Sequence, residues 1–289
     1  MMDERPALGV IGGSGLYDFE GMGDVERREI ETPFGDPSSP ITLGTLGGRR
    51  LAFLARHGLN HTLSPSEVNY RANIYSLKSV GVRRVVAVSA CGSLREDYAP
   101  GDIVVPDQLF DHTKHRAPSF FGGGLVAHVG VAEPFCPQLS DLLSSSVEAE
   151  GGAVHRGGNY ITIEGPRFST RAESNTYRAW GMSLIGMTTS PEAFLAREAE
   201  LCYAVMAHVT DYDVWHITEE EVSVSLVVRT LQRNTALAKR SIARLLSLLP
   251  PDFQCSCGSA LAGALITHPE AIPESARRRL GVLVAKYLD

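Results

Sequence analysis

The chain has no apolar run of about 20 residues, so a membrane-spanning helix is not part of its expected plan. Its cysteines, Cys91, Cys136, Cys202, Cys255 and Cys257, are too few and too scattered for a disulfide framework. Cys255-Ser256-Cys257 is too close for a zinc half-site of the usual spacing, and is read as free thiols or a strained local disulfide. His57, His61, His112 and His115 come with no Cys/His quartet and no His-Glu-x-x-His helix, so no metal is expected. No lysine- or arginine-rich run accompanies the net charge of -6, so neither nucleic acid nor a membrane is an expected partner. The first residues lack an apolar signal region, which makes a cytoplasmic protein the expectation. The glycine-rich turn is neither a spaced dinucleotide fingerprint nor a Gly-Lys-Ser/Thr loop.

What is present is a chain of 289 residues with 44% hydrophobic content and no linker or low-complexity tract, consistent with one domain over residues 1–289. Short runs rich in β-branched residues read as strands at Ala7–Ile11, Ile41–Leu46, Leu51–Ala55, Val85–Ala90, Ile103–Val105, Tyr160–Ile163, Leu184–Met187 and Ala204–Val209. Gly47-Gly48 suits a two-residue hairpin. One helix is expected to start at the capping-box pattern Ser64-Pro65-Ser66-Glu67 and run to Gly81. Another follows Thr218-Glu219-Glu220-Glu221, with Val224, Val227, Val228, Leu231, Ala238, Ile242, Leu245 and Leu249 on one face, and stops at Pro250-Pro251. The alternation predicts an α/β fold with a mixed sheet.

Chemistry-bearing residues cluster at the expected strand ends. Val209-Thr210-Asp211-Tyr212-Asp213 puts two carboxylates after a buried run, suited to a ring nitrogen and an exocyclic amine of a 6-aminopurine, or to ordinary capping. Gly12-Gly13-Ser14-Gly15 can offer backbone N–H groups to an anion, or can be a tight strand exit. Arg56-His57, Ser89-Ala90-Cys91-Gly92-Ser93 and Thr188-Thr189-Ser190 add cationic and hydroxyl groups at comparable places. Ligands of α/β proteins bind beyond the carboxyl ends of strands, so their convergence on an oxyanion is the expectation.

Eight blocks carry a resemblance: Ile11-Gly12-Gly13-Ser14-Gly15-Leu16, Thr32-Pro33-Phe34-Gly35, Ala55-Arg56-His57-Gly58, Pro65-Ser66-Glu67-Val68-Asn69-Tyr70, Ala90-Cys91-Gly92-Ser93-Leu94-Arg95, Ala132-Glu133-Pro134-Phe135-Cys136-Pro137, Glu164-Gly165-Pro166-Arg167-Phe168-Ser169 and Thr210-Asp211-Tyr212-Asp213. In this order they resemble the trimeric purine nucleoside phosphorylase family, in its methylthioadenosine-cleaving branch, from Gly9 to about Leu249; residues 250–289 match less well.

The resemblance implies a mixed, partly barrel-like sheet flanked by helices. It also implies phosphorolysis of a nucleoside with inorganic phosphate as co-substrate and no cofactor. Ser14, Arg56, His57, Ser89, Ala90 and Thr188 would hold phosphate, and Phe168 and Met187 would pack on the sugar. Ser169, Asp211 and Asp213 would read the base, the two aspartates serving catalysis. Val222, Val224 and Val227 would line a methylthio pocket completed by His128 from a neighbouring subunit of a homotrimer. Gly186 stands where adenosine-type members often carry asparagine, and Ser14 and Ser89 stand where threonine is commoner. A 6-oxopurine nucleoside phosphorylase and a non-catalytic nucleoside-binding protein are the competing readings.

Overall fold

The structure is a computed structural model; it describes residues 5–13, 16, 21–216, 222–250, 253 and 255–288, the side chain of residue 233 excepted. In chain order its elements are β1 (Leu8–Gly12), β2 (Gly23–Arg28), β3 (Ile41–Leu46), β4 (Arg49–Ala55), α1 (Tyr70–Ser79), β5 (Arg84–Ser93), β6 (Ile103–Val105), β7 (Gln108–His112) and α2 (Pro137–Ala149). There follow β8 (Val154–Arg156), β9 (Asn159–Ile163), α3 (Arg171–Ala179), β10 (Leu184–Gly186), α4 (Thr189–Glu198), β11 (Cys202–Asp211), α5 (Val224–Leu248), α6 (Glu274–Leu280) and α7 (Ala285–Leu288). None of the described helices is long and apolar enough to cross a membrane.

All strands form one mixed sheet in a single α/β domain. Its main path is β2-β3-β4-β1-β5-β10-β9-β7, and β5 carries a second branch through β11 to β6 and β8. The sheet forks at β5 and its pairing does not close, so the barrel-like part of the expectation reduces to this fork. Along one edge, β5 pairs with β1 through Val85–Ala87 and with β10 only at Gly92 and Ser93. The other edge is paired with β11 over nearly its whole length.

Both faces of the sheet are covered, which is why the central strands read as continuous apolar runs. Val85, Ala87, Tyr203 and Val205 join Ile74, Leu77, Leu195 and Ala196 in one core. The alternate residues Val86, Val88, Ala204 and Met206 join Leu139, Leu143, Ile242 and Leu245 in the other. A fully buried leucine or isoleucine of this kind contributes roughly 1.5–3 kcal/mol.

Each expected strand forms, with ends shifted by up to three residues. The Gly47-Gly48 turn is as expected: β3 and β4 pair through Leu46 and Arg49, and the glycines take φ of 57° and 75°. β2, β7 and β8 were not foreseen. The sequence Gly-Asp-Val-Glu-Arg-Arg of β2 is exposed throughout and is held as an edge by pairing with β3.

One helix start needs correction. Ser64 and Glu67 close a local turn, Ser64 N–H donating to Glu67 Oε2 at 2.9 Å, but the helix begins at Tyr70 with Asn69 as its cap. Asn69 wins because its side chain accepts from Ala72 N–H while its amide donates to the Phe34 carbonyl. In α5 the cap is Ser223; Thr218–Glu221 lies outside the described residues. Its predicted face divides: Ala238, Ile242, Leu245 and Leu249 are in the core, whereas Val224 is 70% exposed. The cysteines also differ from expectation, since Cys136, Cys202, Cys255 and Cys257 converge although they are scattered in sequence, and all are free thiols.

Gly186 is explained by its neighbour: a Cβ there would overlap the Tyr160 hydroxyl and lie 2.8 Å from its Cζ. Tyr160 is fully buried and has nowhere to go. Gly186→Ala should therefore cost about 1–3 kcal/mol of stability. The penalty should shrink in a Tyr160→Phe background, which removes the overlapping oxygen. Urea unfolding of the four proteins checks this, and an equal penalty in both backgrounds would place the strain elsewhere.

Candidate active site

The fork opens a cavity of about 790 Å³, within the range that holds small-molecule ligands. Arg56 and His57 enter it directly after β4, Met187 and Thr188 directly after β10, and Asp211 ends β11. Phe168, Ser169 and Asp213 line it from loops, while Val222, Val224 and Val227 line it from the start of α5. Ser89 and Ala90 also line it, but from inside β5, where the strand has left β1 and has not yet reached β10. They therefore sit at the fork and not at a strand exit. Gly13 represents the first-strand turn, and Ser14 lies outside the described residues. His128 is exposed and does not line its own chain's cavity.

Arg56 is not the free cation its sequence position suggested. Its Nε and Nη2 donate to the two oxygens of Glu192 at 2.8 and 2.9 Å, and its Nη1 donates to the Val88 carbonyl at 3.0 Å. Glu192 is fully buried and also accepts from the Tyr203 hydroxyl at 2.7 Å. Burial would depress the guanidinium, but the Glu192 carboxylate more than offsets it and holds Arg56 charged. Burial, with Arg56 adjacent, pulls the His57 imidazole down to about 4. Neutral His57 then places Nδ1–H on the Leu63 carbonyl, 2.9 Å away, and leaves Nε2 as an acceptor. The hydroxyls of Ser89 and Thr188 lie 3.3 Å apart, both buried.

The two aspartates have no such cationic partner in their hydrogen bonding. A register shift between Val209 and Asp211 in the pairing of β11 with β5 re-aims the strand end. Asp211 accepts from the Thr210 hydroxyl at 2.7 Å and from the Asp213 N–H at 2.8 Å. Burial nevertheless pushes its carboxyl up to about 6. Asp213 is raised by the same cause, and its Oδ2 is buried without an aligned hydrogen-bond partner among the described residues. Gly92 makes room for the pair, since a Cβ there would fall 2.9 Å from Asp211 Oδ1 and 3.3 Å from Asp213 Cβ.

Several residues of the site escaped the sequence reading. Glu192 had a signal, a carboxylate directly after Pro191 and before the apolar run at 193–196 of the same helix. Arg116 had none: its Nη1 donates to the carbonyls of Met187 and Ser190 at 2.6 and 2.7 Å, and its Nη2 to that of Glu164 at 2.7 Å, bracing both cavity-lining loops. His208 was read as strand core, yet it lines the cavity with both ring nitrogens unpartnered among the described residues, and burial pulls it down to about 4.

Removing one member of a buried pair leaves the other uncompensated. Arg56→Ala should lower folding stability by roughly 3–5 kcal/mol. Adding Glu192→Gln should recover part of that loss. A double-mutant cycle measured by denaturant unfolding tests the coupling, and strictly additive losses would contradict it.

Against this geometry stand the likenesses to known proteins. A family model described as the phosphorylase superfamily matches residues 7–247. The S-methyl-5'-thioadenosine phosphorylase of Geobacter sulfurreducens is 51% identical over 282 residues, covering 97% of this chain and 99% of that protein. The enzyme of the same name from Koribacter versatilis is 48% identical over 280 residues, with 97% and 96% covered. A crystal structure of a methylthioadenosine phosphorylase from an Antarctic soil metagenomic library superposes with a TM-score of 0.93 at 45% identity, covering 97% of this chain and 99% of that one. The Schistosoma mansoni methylthioadenosine phosphorylase in complex with adenine gives a TM-score of 0.84 at 36% identity, over 90% and 98%. With the match running through the strands that build the fork, the chain belongs to the phosphorylase superfamily.

Proposed function

We propose that this protein phosphorolyses S-methyl-5'-thioadenosine, releasing adenine and 5-methylthioribose 1-phosphate. The observation that carries this reading is the buried pair Asp211 and Asp213, both raised by burial, in the cavity that also holds the Ser89 and Thr188 hydroxyls. An adenine base offers an exocyclic amine that a carboxylate accepts from; a 6-oxo group would oppose its lone pairs.

Inorganic phosphate attacks the anomeric carbon as the bond to the purine breaks, so positive charge grows on the sugar and negative charge on the base. The phosphate offsets the first, and a proton donated toward N7 relieves the second. Asp211 is suited to that proton, because burial lets it keep one far closer to neutrality than an exposed aspartate does. Asp213 accepts from the 6-amino group and Ser169 lies beside it. Ser89, Thr188, the remaining Arg56 N–H groups and the Ala90 backbone hold phosphate at the fork. Ser14 is assigned to the same site by its place in the first-strand turn. Neutral His57 accepts from a protonated phosphate oxygen through Nε2 in place of the cationic role its sequence position suggested. Phe168 and Met187 pack on the sugar, and Val222, Val224 and Val227 receive the methylthio group. Phosphate is a co-substrate on this reading, and no cofactor takes part.

We infer a homotrimer of this chain, located in the cytoplasm. Val224 and Val228 at the cavity mouth are 70% and 46% exposed, and Val126 and Val131, flanking His128, are 45% and 39% exposed. A cyclic arrangement in which the 126–131 segment of one copy caps the mouth of the next covers both apolar surfaces and brings His128 to the methylthio end. Light scattering should give three chains per particle. A fully active monomer would remove His128 from the site.

Turnover of methylthioadenosine should stop without phosphate and should exceed that of inosine by up to roughly four orders of magnitude in kcat/KM. Comparable rates in phosphate-free buffer would turn the reading toward hydrolysis. A ratio near one would move the chain to 6-oxopurine nucleosides.

Asp211→Asn should slow methylthioadenosine cleavage while raising the relative rate on inosine. The same substitution should stabilise the fold at neutral pH. The folded carboxyl titrates at about 6 against an ordinary 3.8, so the parent's stability falls as pH rises through that window and carries the full penalty above it. Two pKa units correspond to about 3 kcal/mol at most. Melts at pH 4 and pH 8 should show the variant gaining only at the higher pH, and an equal gain at both would deny the shift.

A further inference from the structure

Far from any chemistry assigned above, Cys136, Cys202, Cys255 and Cys257 bring their sulfur atoms within 4.8 Å of one another. None of the four lines the nucleoside cavity. They arrive from three places: Cys136 caps the start of α2, Cys202 opens β11, and Cys255 and Cys257 belong to a 3-10 turn at Ser256–Ser259. Three are buried and Cys255 is partly buried. We propose that these four thiolates form a structural site for one thiophilic divalent cation of the zinc class, which clamps the C-terminal segment onto the sheet.

Metal–sulfur bonds of about 2.3 Å in a tetrahedron put the sulfur atoms about 3.8 Å apart. The observed spread, from 3.0 Å between Cys202 and Cys255 up to 4.8 Å, brackets that spacing. An all-sulfur tetrahedral donor set selects soft cations and rejects the oxygen-seeking magnesium and calcium. The spacing of Cys255 and Cys257 is short for a chelating pair. However, Cys255 is the extended residue that caps the 3-10 turn holding Cys257, and their sulfur atoms lie within 4.8 Å of each other, so both thiols can reach one centre.

The charges around the cluster point the same way. Four thiolates on a divalent cation carry a net charge of minus two. Arg197, 8% exposed, donates from Nη1 to Cys257 Sγ at 3.2 Å, and Arg84, 7% exposed, lies within electrostatic reach of Cys202 and Cys255. The Nε–H groups of both arginines are buried without a partner among the described residues. Arg197 also donates to the Glu133 carbonyl, and Arg84 donates to that of Ala7 and stacks on Phe253; these partners are neutral, and a dianionic metal cluster would balance both charges. The N-terminus of α2 adds a favourable dipole at Cys136. A metal here would close the 53-residue interval between Cys202 and Cys255 and so tie residues 255–257 to the start of β11.

The test is metal content of the unaltered protein, purified under reductant, loaded with zinc and dialysed. About one zinc per chain is expected, falling to background in Cys255→Ser/Cys257→Ser. Cobalt(II) loading should give thiolate-to-metal charge transfer with tetrahedral ligand-field bands. Removing zinc with a chelator should lower the melting temperature and adding it back should restore it, with methylthioadenosine turnover at room temperature unchanged. Less than about one-tenth of an equivalent on the reduced, unaltered chain overturns the proposal, as does a cobalt spectrum without thiolate charge transfer. Because metal content is read without any substrate, the result is independent of the reaction proposed above.

Discussion

A strand of a sheet has two edges, and β5 divides one of its edges between two partners. β1 takes Val85–Ala87 and β10 takes Gly92 and Ser93, leaving the stretch between them without a strand neighbour on that side. Backbone polar groups in such a gap must find other partners. The Arg56 guanidinium satisfies one of them, the Val88 carbonyl. Everything else in the site follows from the opening: β4 and β10 end beside it, Ser89 and Ala90 lie in it, and β11 runs along the opposite edge to deliver Asp211. This is the switch-point rule for ligand binding in open α/β sheets, realised here inside one long strand.

Charge within the opening is handled in two ways. Glu192 is buried and fully employed, accepting from Arg56 twice and from Tyr203, so it fixes the guanidinium plane and leaves a nearly neutral unit at the end of the cavity proposed to hold phosphate. Asp211 and Asp213 are buried with hydroxyl and amide partners but no guanidinium, and both are raised. The first arrangement contributes rigidity. The second costs stability and, on the proposed reading, stores the capacity to bind and protonate a base, the usual trade between a strained site and its scaffold.

What could be read from the sequence was local. β-branched runs gave the central strands, paired glycines gave the β3–β4 turn, and residues next to the strand ends gave part of the cavity wall. What could not be read depended on partners far away in the chain. β2 is polar and exposed on both faces, and only its pairing with β3 makes it a strand. Glu192 answers Arg56 across 136 residues, and Arg116 reaches Met187 across 71. The four converging cysteines were misjudged for the same reason, since scatter along a chain says nothing about distance in a fold. The helix start was missed on a finer scale: Ser64 and Glu67 do satisfy each other, but in a turn that ends before Asn69 caps α1.

Gly186 shows how a departure in sequence is absorbed in space. The volume a side chain would need at this position is taken by the phenol of Tyr160, which rises from β9 and is wholly buried. An asparagine at 186 would demand displacement of that ring, so the Gly186–Tyr160 combination is a single steric unit and neither residue is free to vary alone. With no side chain at position 186, the proposed discrimination at the base would fall to Asp211, Asp213 and Ser169, which line the cavity. A buried carboxylate discriminates strongly, because a base with no donor to offer leaves part of its hydrogen-bonding capacity unmet in a desolvated site. On the proposed reading, glycine at position 186 thus makes the aspartate pair more decisive for selectivity.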